Sequence, residues 1–218
     1  MDARAGKAVH RRSLAPRDPE RTRLNILTAA TVEFSGKGLD GARVDKIATR
    51  SGVNKRMIYH YFGDKEGLYL AVLEKSYTAI RTAELELSLV DQDPVEGIRT
   101  LVQFTWKYLV AHPEFLSLLA TENLHHAANL KKLPNIRELH SPLIGMISEV
   151  LQRGVKRKLF RRGVDPMQLY ISIAGLGFFY LSNRHTLSTI FDRDLSAPMA
   201  LAERESHIAE VVLSYLRA

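Results

Sequence analysis

Residues 47–62 read IATRSGVNKRMIYHYF, and Ala48, Gly52 and Ile58 within them have the spacing of a helix-turn-helix. Two helices that cross at close range need a small residue at the crossing, here Ala48. The turn between them needs a residue that tolerates positive φ, here Gly52. Ile47, Val53, Ile58 and Tyr61 or Phe62 then supply the internal apolar contacts. The second helix is left with Asn54, Lys55, Arg56, Tyr59 and His60 outward on one face. Long hydrogen-bond donors mixed with aromatics suit a helix that lies in a DNA major groove. Against a plain helical hairpin with a solvated charged face stand the spacing, the short helix lengths and the local charge excess.

Charge is distributed unevenly around this stretch. The chain of 218 residues carries a net charge of +7. Residues 1–65 hold 14 Lys and Arg against 7 Asp and Glu, while residues 66–218 hold 17 against 17. All of the excess lies in the first third, which describes an anion-binding head on a neutral body. The commonest large anion in a cytoplasm is nucleic acid. A composition of 45% apolar and 25% charged residues is that of an ordinary globular protein with one large domain or two small ones. The absence of cysteine excludes disulfides, thiolate metal sites and a cysteine nucleophile. The longest uncharged apolar-rich run of consistent character, residues 171–181, falls short of the roughly 18 to 20 residues a membrane span needs. The basic N-terminus is followed by no apolar stretch like that of a signal peptide, so a cytoplasmic location is expected.

The punctuation is helical. Asp18-Pro19, Asp93-Pro94 and Asp165-Pro166 each set an N-cap side chain before a proline at the first helical position, and Pro113 and Pro198 mark two further starts with weaker caps. Leu24, Leu27, Ala30 and Phe34 in the first helix follow a period of 3.6, as do Ile98, Leu101, Val102, Thr105 and Leu109 in a later one. No stretch alternates in the manner of a strand. The fold is therefore expected to be all-α. Residues 1–17 form a flexible basic arm with Arg4, Lys7, Arg11, Arg12 and Arg17, residues 18–65 form the DNA-binding head, and residues 66–218 form the body.

The landmarks Ala29-Ala30, Phe34, Gly38, Val44, Ile47-Ala48, Gly52-Val53, Tyr59, Tyr61-Phe62, Lys65 and Leu68 make residues 24–73 resemble the DNA-binding domain of the TetR family of bacterial transcriptional regulators. The resemblance implies a homodimer whose first three helices bind a palindromic double-stranded DNA operator. It implies a larger helical body that dimerises and binds a small-molecule effector, with repression as the expected outcome. It places Lys55 and Arg56 at the opening of the recognition helix and Tyr59 and His60 on its DNA face. Lys65 is expected to cap the next helix near a phosphate, with Arg43 and Lys46 also nearer phosphates. Arg43 stands where the family often has a capping Thr or Ser, so Asp45 is expected to serve the free N–H groups of that helix while Arg43 binds phosphate by charge. Arg56 and Met57 stand where a small residue often follows the recognition-helix lysine, which puts the operator sequence beyond transfer by analogy.

In the body, Trp106 shares a face with Val102 and Leu109, and Phe115, Leu119, Phe178 and Phe179 are placed to close the same space. Asn123, His126 and Asn183 are candidates for orienting hydrogen bonds in such an effector pocket. With no Arg or Lys cluster on those arcs, the expected effector is small and largely apolar or aromatic. If these side chains fill a solid core instead, the alternative is a DNA binder under constitutive or partner control. Glu122 and His126, one turn apart, with His185 on a helix able to face them, leave a metal site open beside ordinary polar faces. No cofactor is expected. Two-fold pairing is expected along a seam of Tyr170, Ala174, Gly177, Phe178 and Leu181 with Ile208, Val211, Val212 and Tyr215. The small residues around Gly175-Leu176-Gly177 would admit the partner's helix, and Arg157, Lys158, Arg161 and Arg162 would decorate a helix end. An enzyme reading finds no G-x-S-x-G, phosphate loop or H-E-x-x-H to rest on. A sequence-blind architectural DNA binder has no use for so large a neutral body.

Overall fold

Aspartate–proline pairs start three of the helices in a computed structural model that describes residues 18–218, the side chains of residues 137 and 139–141 excepted. The basic arm expected over residues 1–17 lies outside the described residues. Asp18 accepts from the backbone N–H of Glu20 and Arg21 at the start of α1 (Pro19–Gly41). Asp93 caps α5 (Pro94–Ala111) and Asp165 caps α8 (Pro166–Ile190) in the same way. Pro113 and Pro198 open α6 (Pro113–Leu124) and α9 (Pro198–Leu216), both without a side-chain cap. The remaining helices are α2 (Val44–Ser51), α3 (Lys55–Phe62), α4 (Lys65–Leu85) and α7 (Ile136–Lys156). The fold is all-α, with one isolated bridge between Phe160 and Arg217 among the described residues. No helix among them is long and apolar enough to cross a membrane.

Two apolar cores form. The head's core joins Ile26, Leu27, Ala30 and Phe34 of α1 to Ile47 and Ala48 of α2, Ile58 of α3, and Leu68, Tyr69, Val72 and Leu73 of α4. Leu118 of α6 joins it from the body side. The head thus runs to Leu73 rather than stopping at residue 65, because the first half of α4 supplies one wall of its core. Leu24, expected inside, is 51% exposed. The buried stripe passes through Ile26 instead, and Leu24 lines an open groove of about 760 Å³ between α1 and α4. The body's core gathers Tyr77 and Ile80 of α4 with Ile98, Leu101, Trp106, Phe115, Ile147, Ile173 and Ile208. One helix of 21 residues, about 30 Å long, therefore belongs to both cores.

The junction between α3 and α4 is tight. A Cβ on Gly67 would stand 2.2 Å from the carbonyl oxygen of Phe62, and a backbone atom at the end of a helix cannot swing aside. We expect Gly67→Ala to cost about 2 kcal/mol or more of stability, and to displace α3 so that DNA affinity falls with it. Denaturant midpoints read alongside affinity will check both.

Gly177 corrects the expected pairing seam. Its Cβ position lies 3.2 Å from Leu109 and 3.7 Å from Trp106, so the small residue admits α5 of its own chain. Leu181, Ile208 and Val212 are likewise buried inside the protomer. The α8 and α9 residues left outward are Ile171, Gly175, Phe179, Val211 and Tyr215. Of these, Gly175, Val211 and Tyr215 border a groove of about 420 Å³ between the two helices.

Candidate nucleic-acid interface

The turn between α2 and α3 is built as its sequence requires. Gly52 adopts the left-handed conformation (φ 71°, ψ 20°), and the Val53 N–H donates to the Ala48 carbonyl at 3.2 Å to close α2. Asn54 then caps α3, its Oδ1 accepting from the Met57 N–H at 3.0 Å. Asn54, expected on the outward face, is exposed and in addition caps the helix, whose first N–H groups favour a neighbouring amide oxygen. Ile58 is fully buried and fixes α3 to the head. The Arg23 guanidinium packs 5.4 Å from the Phe62 ring centre at the far end.

With its inner side held, α3 leaves Lys55, Arg56, Tyr59 and His60 exposed together. Tyr59 is 44% exposed, and the His60 ring leans edge-on to Tyr61 at 5.5 Å. Lys46 and Arg50 of α2 are exposed beside them. A short helix projecting donors and flat rings from a rigid base can read base edges, and the flanking cations can meet phosphates.

Two expected roles at the rim change. Arg43 donates to Asp45 through Nε at 3.2 Å and Nη2 at 2.8 Å. That contact raises the Arg43 pKa and holds the Asp45 carboxyl below the usual carboxylate range. Asp45 is therefore engaged by a guanidinium fork rather than serving the start of α2, where Arg43 provides no side-chain cap. The cap of α4 is Asp64, accepting from the Gly67 N–H at 2.7 Å, and not Lys65. The Lys65 Nζ donates to the Asp40 carbonyl at 3.0 Å, which ties the start of α4 to the end of α1.

The residues expected to form an effector pocket are only partly brought together. Trp106 and Phe115 are buried in the body's core, with Leu119 and Phe178 packed against it, whereas Phe179, expected beside them, is exposed on the outer side of α8. Trp106 meets Tyr180 edge-on at 5.6 Å. The polar three point elsewhere. The Asn123 amide donates to the Leu119 carbonyl and the Asn183 amide to the Phe179 carbonyl, each at 2.8 Å and each one turn back in its own helix. His126 is exposed in the loop after α6.

Glu122 also has a different part from the one considered. It is buried, and its carboxylate accepts from the Tyr69 hydroxyl at 3.0 Å, the Asn129 amide at 3.1 Å and the Leu130 N–H at 2.9 Å. These bonds join the head's wall of α4 to α6 and its following loop. His126 and His185 are exposed, and no group of three or more His, Cys, Asp or Glu among the described residues is placed to hold a metal ion.

Sequence reasoning passed over a polar pair inside the body. Arg81 is 4% exposed and Glu84 0%, and Arg81 Nη1 lies 2.7 Å from Glu84 Oε2. Arg81 Nη2 donates to the Tyr170 hydroxyl of α8 at 3.0 Å, and its guanidinium lies 5.4 Å from that ring's centre. Burial pushes the Glu84 carboxyl up to about 7 against the pull of Arg81. The signal was present: Leu73, Tyr77, Arg81 and Glu84 continue one stripe of α4 at helical spacing. The absence of an Arg or Lys cluster on the pocket arcs is compatible with this one inward-facing cation.

Comparison with known proteins places these features. Residues 26–72 match the family described as bacterial regulatory proteins, tetR family, and residues 94–212 match the tetracyclin repressor-like C-terminal domain. The chain is 42% identical over 198 residues to the HTH-type transcriptional repressor NicS of Pseudomonas putida, covering 91% of this chain and 93% of that protein. It is 36% identical over 144 residues to the HTH-type transcriptional repressor SCO4008 of Streptomyces coelicolor, covering 65% and 71%. Among solved structures, the ketosteroid transcriptional regulator KstR2 of Mycobacterium tuberculosis superposes with a TM-score of 0.66 at 19% identity, over 90% of this chain and 95% of that one. This last likeness is one of fold.

Proposed function

The chain belongs to the TetR family of bacterial transcriptional regulators, and from that premise we propose that it is a repressor that grips a palindromic operator as a two-fold dimer and leaves it when a small effector enters the body. That it is a DNA-binding regulator follows from the family. The observation that carries the rest is the exposed face of Lys55, Arg56, Tyr59 and His60 on a helix anchored by Ile58. The relatives NicS and SCO4008 are named as repressors, which supports repression here. The protein would act in the cytoplasm, where its DNA is.

Release follows from linkage. The helix α4 contributes to both cores, so an effector that fits the body only after α4 has shifted also moves the head. Two heads matched to half-sites one turn apart lose that match, and effector and operator weaken each other's binding by the same factor. The effector seat lies among α4, α5, α6 and α8, with Phe115 and Trp106 on its apolar side.

Pairing would use the outward surface of α8 and α9. Phe179 is 59% exposed and has Gly175 and Ile171 one and two turns before it. We expect Phe179→Glu to give a monomer in sedimentation while leaving the protomer folded, and to weaken operator binding with it. A dimer that survives the change would put the pairing surface elsewhere.

A second reading, DNA binding without an effector, draws on the close packing of Trp106 against Tyr180 and Gly177. Genome-wide footprinting followed by titration of the protein–operator complex with cell-extract fractions separates the two. Release by one fraction supports effector control, and no release by any fraction leaves constitutive or partner-controlled binding.

A further inference from the structure

We propose that the buried Arg81–Glu84 pair receives the polar group of the effector, and that the effector is a compact, planar, uncharged molecule with an amide edge, an N–H beside a C=O. The inference rests on the effector-release reading above and supplies the ligand chemistry it lacks.

The pair is buried and joined through Arg81 Nη1 and Glu84 Oε2 at 2.7 Å, yet Arg81 Nε and Glu84 Oε1 have no hydrogen-bond partner among the described residues. Buried polar atoms in native proteins are nearly always bonded, and those that are not call for a reason. Here a donor set and an acceptor set stand side by side, held from α8 by the bond to Tyr170. Their charges sum to zero. A further anion would face Glu84 and a further cation would face Arg81, each without a counter-charge. An amide edge satisfies both at once: its C=O accepts from the guanidinium while its N–H donates to the carboxylate.

The surroundings are aromatic. Tyr77 lies one turn before Arg81 on α4 and meets Phe115 of α6 edge-on at 5.4 Å. Tyr108 of α5 meets the same phenylalanine at 6.2 Å. The upward shift of Glu84 is caused by burial and only partly offset by Arg81, in keeping with a carboxylate whose second oxygen is buried without a donor. The position suits a switch. Four helices meet there, and the one that bears the pair also walls the head's core, so a molecule wedged between α4 and α8 acts on the head through a rigid rod.

The test uses the full-length dimer and three probes of matched shape: benzamide, which has the amide edge; acetophenone, which only accepts; and benzoate, an anion. Binding is read by ligand-detected NMR on wild type and on the paired variant R81M/E84L, with operator affinity measured on both. Replacing both charges leaves neither one buried alone, so the variant should fold. If it does not, Glu84→Gln carries the same comparison.

Wild type should bind benzamide at least about tenfold more tightly than the other two probes, and the variant should lose that preference while keeping operator affinity. Equal binding of the three probes, a preference for benzoate, or a variant that still prefers benzamide would each overturn the proposal. Wild type that prefers benzamide but binds no palindrome keeps this site and discards the regulator reading. Wild type that binds a palindrome without discriminating among the probes does the reverse.

Discussion

A dimer carrying Lys55→Ala and Arg56→Ala should bind its operator more weakly than wild type by about 10³-fold or more at physiological salt, since a good base contact is worth roughly 1–3 kcal/mol and a two-fold dimer loses each of the two contacts twice. Both residues open α3 on its exposed side, opposite the buried Ile58. Their removal leaves the head's packing intact, so the thermal midpoint should barely move. Arg56→Ala alone should also relax the choice of base at one position in each half-site. Lys46→Ala should behave differently. As a phosphate contact it should weaken binding on every sequence alike and lower the salt slope by about one per head. Arg43→Ala should have the smaller effect of the rim cations, because its guanidinium is already paired with Asp45. Anisotropy titrations on the operator and on a random duplex, over a range of salt, separate these outcomes. A Lys55→Ala, Tyr59→Phe double variant that kept full operator affinity would show that another face meets the groove.

Glu122→Leu should destabilise the protein by about 3–5 kcal/mol, a fall in Tm of roughly 10 °C for a chain of this size. The carboxylate accepts from Tyr69, Asn129 and Leu130, and an apolar replacement leaves those donors buried without a partner. Tyr69→Phe removes one of the stranded donors, so the double variant should recover part of the loss and show clear coupling in a mutant cycle. Because the Tyr69 bond joins the head's wall to α6, the single variant should also loosen the head and lower operator affinity more than its stability alone accounts for. Zinc added to wild type should leave Tm unchanged. A zinc-dependent rise that disappears in Glu122→Leu would return this residue to a metal site.

The parts of this molecule legible in the sequence are those governed by local physics. A proline at the first helical position and an aspartate before it act within one turn, so α1, α5 and α8 begin where Asp18, Asp93 and Asp165 put them. The turn at Gly52 is equally local, since only the left-handed conformation closes α2 onto α3. Side-chain competition is less visible. Asn54 serves the start of α3, and Arg43 takes Asp45 away from the start of α2, because each partner lies within three residues and reaches first. Helical periodicity identifies a stripe but not its edges, which is why Leu24 lies outside the core and Ile26 inside it. Gly177 shows the same limit at longer range: a small residue marks close approach, and only the fold decides that the approaching helix is α5 of the same chain. Arg81 and Glu84 were hidden by their polarity, although their spacing continues the apolar stripe of α4. Charged residues on a buried arc are the ones that periodic reading discards, and they carry the chemistry proposed for the effector.

The central claim is that the face of α3 reads one short palindrome. Its most direct test is competition of the full-length protein between the footprinted palindrome and a scrambled duplex of equal length at physiological salt. A specific regulator should prefer the palindrome by about 10³-fold or more, and Lys55→Ala with Arg56→Ala should collapse that ratio. Equal affinity for the two duplexes, lost in parallel as salt rises, would contradict the account and leave a charge-driven binder with no sequence to read.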